Sequence, residues 1–298
     1  MRVGITGARG FLGKAIAKEA KRRRWKVVAF SRNSYQDLDD VEEVRSLADP
    51  ESIDLSGLDA VIHLAGEPVV GWWSKDKKRR IRDSRIDLTS DLVEALASIS
   101  ESERPKVLVS ASAIGYYGDR ADEELDEEAD VGFGFLPEVC RDWEAASNKA
   151  ERLGIRVVTP RIGVVLGQEG FLSKIRLIFR VGLGGRLSSG SQWMSWIHVG
   201  DVAKIFAECV ARRAIAGRVN CVAPNPVTNA EFTQVYSRVL RRKALLPVPK
   251  FVFNCLPGDM GRIFLESQRV DPVVMKAFGY EWEFSNLESA LSDIEAGR

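Results

Sequence analysis

Charge of either sign is almost absent in excess. Forty-three Lys and Arg face 42 Asp and Glu, a net +1 over 298 residues. A balanced chain exerts no long-range pull on nucleic acid or anionic lipid, so neither is expected as a partner. Histidine is scarce as well, with only His63 and His198, too far apart in sequence to suggest a metal site. The four cysteines, Cys140, Cys209, Cys221 and Cys255, contain no C-x-x-C pair. That argues against structural zinc and a disulfide framework and suits free thiols in a reducing compartment. No apolar run approaches a membrane-spanning length. The first strand is expected to begin at residue 2, with no leader ahead of it, which points to the cytoplasm.

What is present is a glycine loop in the right setting. The apolar run Met1–Thr6 enters Gly7-Ala8-Arg9-Gly10-Phe11-Leu12-Gly13 and continues into a helical pattern from Lys14. Strand, tight turn and helix N-terminus form the receptor for a dinucleotide pyrophosphate. Gly7 permits the turn, Gly10 lets backbone approach phosphate, and Gly13 lets the helix lie close to the strand. Unpaired amides and the helix dipole favour the anion.

Downstream, apolar runs alternate with helical patterns, the signature of a parallel sheet covered on both faces. Strands are expected at Trp25–Ser31, Leu58–Leu64, Lys106–Ser110 and Ile155–Thr159, and helices over roughly Lys75–Ser98 and Val139–Leu153. The acidic run Asp122–Glu128 reads as a solvated loop, and the basic runs Lys21–Arg24 and Lys75–Arg80 as solvated helix faces. Beyond Arg161 the glycine- and proline-punctuated texture predicts a smaller lobe over the carboxyl ends of the sheet. Asp201 reads as the N-cap of a helix there. The expected fold is thus α/β: a Rossmann-type doubly wound parallel sheet over residues 1–165, and a smaller C-terminal substrate lobe over 166–298. Some segments of that lobe are expected to return to the sheet.

The second strand ends Phe30-Ser31-Arg32 where NAD-binding folds usually place a carboxylate for the ribose 2′-hydroxyl. A guanidinium there pairs with a 2′-phosphate instead, and Arg9 in the glycine loop can reach the same group. NADP(H) is therefore expected over NAD, with Ser31 and Arg32 at the adenosine end.

Thr6–Gly13 together with His63-Leu64-Ala65-Gly66 resembles the extended short-chain dehydrogenase/reductases. The segments Trp73 to Arg85, Gly115–Gly118, Cys140–Glu144, Arg161–Leu166, Gly182–Gly185, Gln192–His198 and Gln268–Pro272 resemble its atypical epimerase/dehydratase-like branch. The resemblance implies an NADP(H)-binding lobe contacted by Thr6, Phe11, Leu12, Leu64, Ala65 and Gly66. It also implies a small C-terminal module at about 245–295, an unidentified small-molecule substrate and, by analogy, a homodimer. Ser112 resembles the superfamily's substrate-orienting serine.

That superfamily uses a Tyr-x-x-x-Lys pair, and none of the five tyrosines here is followed by lysine four residues on. Alignment puts Cys140 and Glu144 in those two positions. Cys140 is then either a proton donor or a small helix residue. Tyr116 or Tyr117 is a candidate substitute acid, the bland reading being that they pack or stack. Trp73, Trp193, Arg85 and His198 are candidate substrate contacts, with Trp72, Trp196, Gln268 and Arg269 as weaker ones, whereas His63 reads as a core or cofactor-edge residue. Two readings stay open: an NADP(H)-dependent oxidoreductase or epimerase-like enzyme, and a non-catalytic NADP(H)-binding sensor or regulatory protein.

Overall fold

The computed structural model describes residues 1–32, 39–244, 246–249, 251 and 260–297. Tyr35 and Cys255 lie outside them, as does part of the expected C-terminal module. Seven parallel strands form the central sheet: β1 (Arg2–Thr6), β2 (Lys26–Ser31), β3 (Glu43–Ser46), β4 (Ala60–His63), β5 (Val107–Ser110), β6 (Arg156–Ile162) and β7 (Gly217–Cys221), in the order β7-β6-β5-β4-β1-β2-β3. Ser112–Ala113 extends the sheet by pairing with the end of β6. Strand order reverses at β1, opening a crevice at the carboxyl ends of β1 and β4 where ligands of such sheets sit.

The helices follow from apolar spacing. In α1 (Phe11–Arg22), Ile16, Ala17 and Ala20 are buried and pack with α5 (Val199–Ala211) on one sheet face. On the other face, α2 (Lys75–Ser98) packs on α3 (Phe135–Asn148), burying Ile81, Leu92, Val93 and Leu96. Helix α2 begins where Ser74 accepts from Lys77 N, a side-chain N-cap.

A second core lies beyond the sheet. Leu172 and Phe179 of α4 (Phe171–Arg180) meet Phe232 and Tyr236 of α6 (Asn229–Val239), and Leu291 of α7 (Leu287–Glu295) closes it. β7 rejoins the main sheet from this later stretch of chain, alongside β6.

Two local expectations are corrected here. Asp201 is not the cap of α5: His198 is, its Nδ1 accepting from Gly200 N at 3.1 Å. Asp201 sits inside the first turn, fully buried, and accepts from the Glu283 and Phe284 amides at 3.0 Å. The acidic run is not simply solvated. Glu124–Leu125 pairs in parallel with Arg269–Val270, and buried Glu127 accepts from the amides of Asn220 and Val274. A carboxylate satisfied by two backbone amides stitches the loop to distant chain, which local composition does not encode.

Candidate functional site

The glycine loop is built as its spacing implies. Gly7 has φ +71°, a region L side chains avoid, and a Cβ there would stand 3.1 Å from Ala65 N. A Cβ on Gly13 would stand 2.2 Å from Gly7 O and 2.6 Å from Ala8 Cα, so the helix can touch the turn only through glycine. Helix α1 starts at Gly10 with no side-chain cap hydrogen bond to its first amides.

This loop opens into a cavity of about 700 Å³ that runs under the second lobe. Gly7, Gly10, Phe11, Leu12, Gly13, Leu64 and Gly66 line one end, and Ser112, Cys140, Trp143, Gly163 and Trp193 lie along it. Its size and largely apolar walls suit a small-molecule site. Arg9 and Arg32 are exposed where the chain leaves β1 and β2. Those strands are adjacent and in register from Arg2 with Lys26 to Thr6 with Phe30. Arg9, three residues past β1, and Arg32, one past β2, therefore follow neighbouring strand ends.

Thr6 does not meet this cavity. Its hydroxyl oxygen, fully buried, accepts from Leu64 N at 3.1 Å and Ala65 N at 3.2 Å and lies 2.7 Å from His63 Nδ1. With both acceptor positions filled, Thr6 donates to Nδ1, which leaves the proton on Nε2, 3.0 Å from Thr89 Oγ1. His63 is thus a satisfied neutral core histidine that pins the Leu64–Gly66 turn to the glycine loop. Burial pushes its pKa down to about 3. Between that value and the unfolded value near 6.5, the unfolded chain takes up a proton the folded chain refuses. Stability is then complete above about pH 6.5 and falls as pH drops below it, with a slope of up to about 1.4 kcal/mol per pH unit. His63→Gln is expected to lose about 1.4 kcal/mol less than wild type between pH 7.5 and 5.5, measured by urea midpoints. Parallel losses in the two proteins would remove His63 as the cause.

The expected catalytic cluster sorts itself by burial. Ser112 sits at the cavity and donates to Glu144 Oε1 at 2.7 Å. Glu144 receives the Arg161 guanidinium on both oxygens, Nε to Oε1 and Nη2 to Oε2, each at 2.9 Å. Arg161 is fully buried, one face 3.5 Å above the Tyr116 ring, and donates to the Tyr117 hydroxyl at 3.0 Å. So the position aligned with the catalytic lysine holds half of a buried bidentate ion pair. The serine proton is committed to it, and the Ser112 oxygen presents lone pairs to the cavity.

Neither tyrosine is a cleft acid. Tyr117 is wholly enclosed, its hydroxyl 2.7 Å from Asn220 Oδ1 and 2.8 Å from Asp126 O, and burial pushes its pKa up to about 12. Tyr116 lies under Arg161, edge-on to Tyr117 and outside the cavity wall. Cys140 does face the cavity, but burial and then neighbouring Glu144 push its thiol up to about 12, wrong for a proton donor near neutrality.

His198 is likewise corrected. It caps α5, stacks on Phe284 at 4.0 Å and takes no part in the cavity wall. Trp73 is buried against Phe135 and donates its indole N–H to Val69 O at 2.8 Å, supporting a cavity-lining loop from behind. Trp193 and Gln268 line the cavity, and Trp193 is held by Asp122 and by Arg269 above its ring. Arg85 lines it too. Trp143, which sequence reasoning passed over, also faces the cavity, and its buried indole N–H has no partner among the described residues. Its place one residue before Glu144 in an apolar helix was the available signal. Among the described residues no metal-binding cluster exists, and no helix is long and apolar enough to cross a membrane.

A parallel sheet in the order β3-β2-β1-β4-β5-β6-β7, with a glycine loop after its first strand, defines a Rossmann-type dinucleotide-binding protein. The family model for the NAD dependent epimerase/dehydratase family matches residues 3–221, and a domain of unknown function (DUF1731) matches 248–294. The chain belongs to that epimerase/dehydratase family, within the extended short-chain dehydrogenase/reductases. It is 36% identical to the chloroplastic SDR39U1 homologue of Arabidopsis thaliana over 99% of this chain and 86% of the relative. Identity to the Bacillus subtilis epimerase family protein YfhF is 34%, over 100% and 99% of the two chains. The crystal structure of human epimerase family protein SDR39U1 (isoform 2) with NADPH superposes with TM-score 0.91 at 32% identity, covering both chains fully. UDP-N-acetylglucosamine 4-epimerase from Bacillus cereus shares the fold, with TM-score 0.79 at 19% identity over 99% of this chain and 98% of that one.

Proposed function

We propose that this chain binds NADP(H) on the glycine loop and exchanges hydride between its nicotinamide and a small molecule held in the cavity. The observation that carries the reading is the continuity of one cavity from Gly7–Gly13 to Ser112. The NADPH in the crystal structure of the human relative supports the choice of cofactor. In this reading Gly10 and the first amides of α1 hold the pyrophosphate, Phe11 and Leu12 flank it, and Arg32 with Arg9 meets the 2′-phosphate. The bound nicotinamide supplies hydride chemistry. Ser112, its proton given to Glu144, accepts a hydrogen bond from a hydroxyl or amide N–H and so orients the reacting group.

Binding of NADPH and NADH, followed by nicotinamide fluorescence, tests the cofactor assignment. Arg32→Ala is expected to weaken NADPH by roughly 10- to 150-fold, the range for losing a charge-assisted hydrogen bond of about 1.5–3 kcal/mol, with NADH unchanged. Equal loss for both cofactors would move Arg32 out of the 2′-phosphate site.

A non-catalytic NADP(H)-binding role is the second reading, and one observation favours it. Among the described residues lining the cavity, neither a tyrosine nor a lysine is present, and the thiol of Cys140 titrates far above neutrality. Turnover of any carbonyl or alcohol by the NADP(H)-loaded protein separates the two.

A further inference from the structure

Next to the glycine-loop end the cavity wall is apolar, with one cation set into it against Gly66. Val69, Ile81, Leu136, Val139, Ile114 and Ile263 form the apolar part. Arg85 is the only Lys or Arg among the described lining residues. It is held rigidly from one side. Its Nη1 donates to Glu67 O at 3.0 Å and to Ile81 O at 3.1 Å, and its guanidinium lies 5.2 Å from the centre of the Trp143 ring. Gly66 makes room for it, since a Cβ there would stand 3.1 Å from Arg85 Cζ. Among the described residues the remaining N–H groups of the fork have no partner, and no carboxylate lies within ion-pair distance. Glu67 instead takes Lys77 at 2.6 Å, and Glu266, the one carboxylate along the described wall, forms no ion pair with Arg85.

A fixed, half-buried cation with no ion-paired carboxylate among the described residues, beside a buried indole N–H that has no partner there, is a site arranged for an incoming acceptor. We propose that Arg85 receives the carboxylate of an apolar, flat acid, whose body packs on the walls around Ile81, Leu136 and Val139. One cation matches one negative charge. A nucleoside diphosphate would bring two phosphates to a wall with a single guanidinium. Burial lowers the pKa of Arg85, and it is desolvation that an arriving carboxylate offsets. The inference deepens the hydride-transfer reading and rests on it for NADP(H) as the neighbouring occupant of the cavity.

The probes are naphthalene-2-carboxylate and naphthalene-2-carboxamide, the same shape with and without the charge. Titrated calorimetrically into the full chain loaded with NADP⁺, the acid is expected to bind at least tenfold tighter than the amide. R85M is expected to abolish that difference while NADPH affinity stays within twofold of wild type. R85K keeps the charge and loses the fork, so it should fall between the two, and it carries the test should R85M not fold. Equal affinity for acid and amide, or binding of neither, overturns the proposal. So does a fall in NADPH affinity alongside acid binding in R85M, which would make Arg85 a cofactor contact. Failure of wild type to bind NADPH would strike the hydride-transfer reading alone. The acid–amide difference is then read on the unloaded protein and decides the Arg85 inference by itself.

Discussion

Arg161→Met is expected to destabilise the protein by about 3–5 kcal/mol, the largest effect of any single change discussed, because it strands Glu144 as an unpaired buried carboxylate. The pair is bidentate, Arg161 is fully enclosed, and Glu144 also holds the proton of Ser112. Removing the guanidinium also leaves the Tyr117 hydroxyl without its donor and the Tyr116 ring without the group above it. In a chain of this size the melting temperature should drop by on the order of 10 °C. The double variant Glu144→Leu/Arg161→Met is the informative control. With both charges gone no desolvated ion remains, and an apolar pair of similar volume costs little, so most of the stability should return. Urea midpoints for the four proteins of the cycle give the coupling directly. If the double variant is as unstable as the two single losses summed, the pair is not acting as a unit and its link to Ser112 loses its basis.

Gly13→Ala is expected to reduce NADPH affinity by at least tenfold and to cost about 1–3 kcal/mol in folding, since the added methyl meets backbone that no rotamer change can relieve. Gly10→Ala separates the two effects. A Cβ there would meet only Gly7 O at 3.2 Å, so folding should be nearly unaffected while the close approach of a pyrophosphate is blocked. Thermal melts and NADPH titrations on both variants check this. If Gly10→Ala binds NADPH as wild type does, the dinucleotide does not cross the loop at that point, and the cofactor pose proposed here is wrong.

The elements around these residues were legible in the chain because their signals are local. Thr6–Gly13 reads as strand, turn and helix from eight consecutive residues, and the helix expected at Lys75–Ser98 is observed over those same residues. The lack of any Tyr-x-x-x-Lys needs no structure at all. The placement of Cys140 and Glu144 in one helix, four residues apart, also followed from sequence.

What each of those side chains does was decided by partners far away along the chain. Glu144 meets Arg161 because α3 packs over the end of β6, and Tyr117 meets Asn220 103 residues later because β7 returns to the sheet edge. His198, a candidate substrate contact by sequence, caps a helix instead, and Glu127, in a run whose composition suggests a solvated loop, is tied to Asn220 and Val274. Periodicity and glycine spacing report backbone geometry over a few residues, and so the sequence by itself determined the parallel α/β alternation, the glycine turn after the first strand and the lack of a Tyr-x-x-x-Lys pair. Hydrogen-bond satisfaction of buried polar groups is a long-range condition. Only the tertiary structure could settle which polar side chains are spent in the core and which, like Ser112 and Arg85, are left facing the cavity.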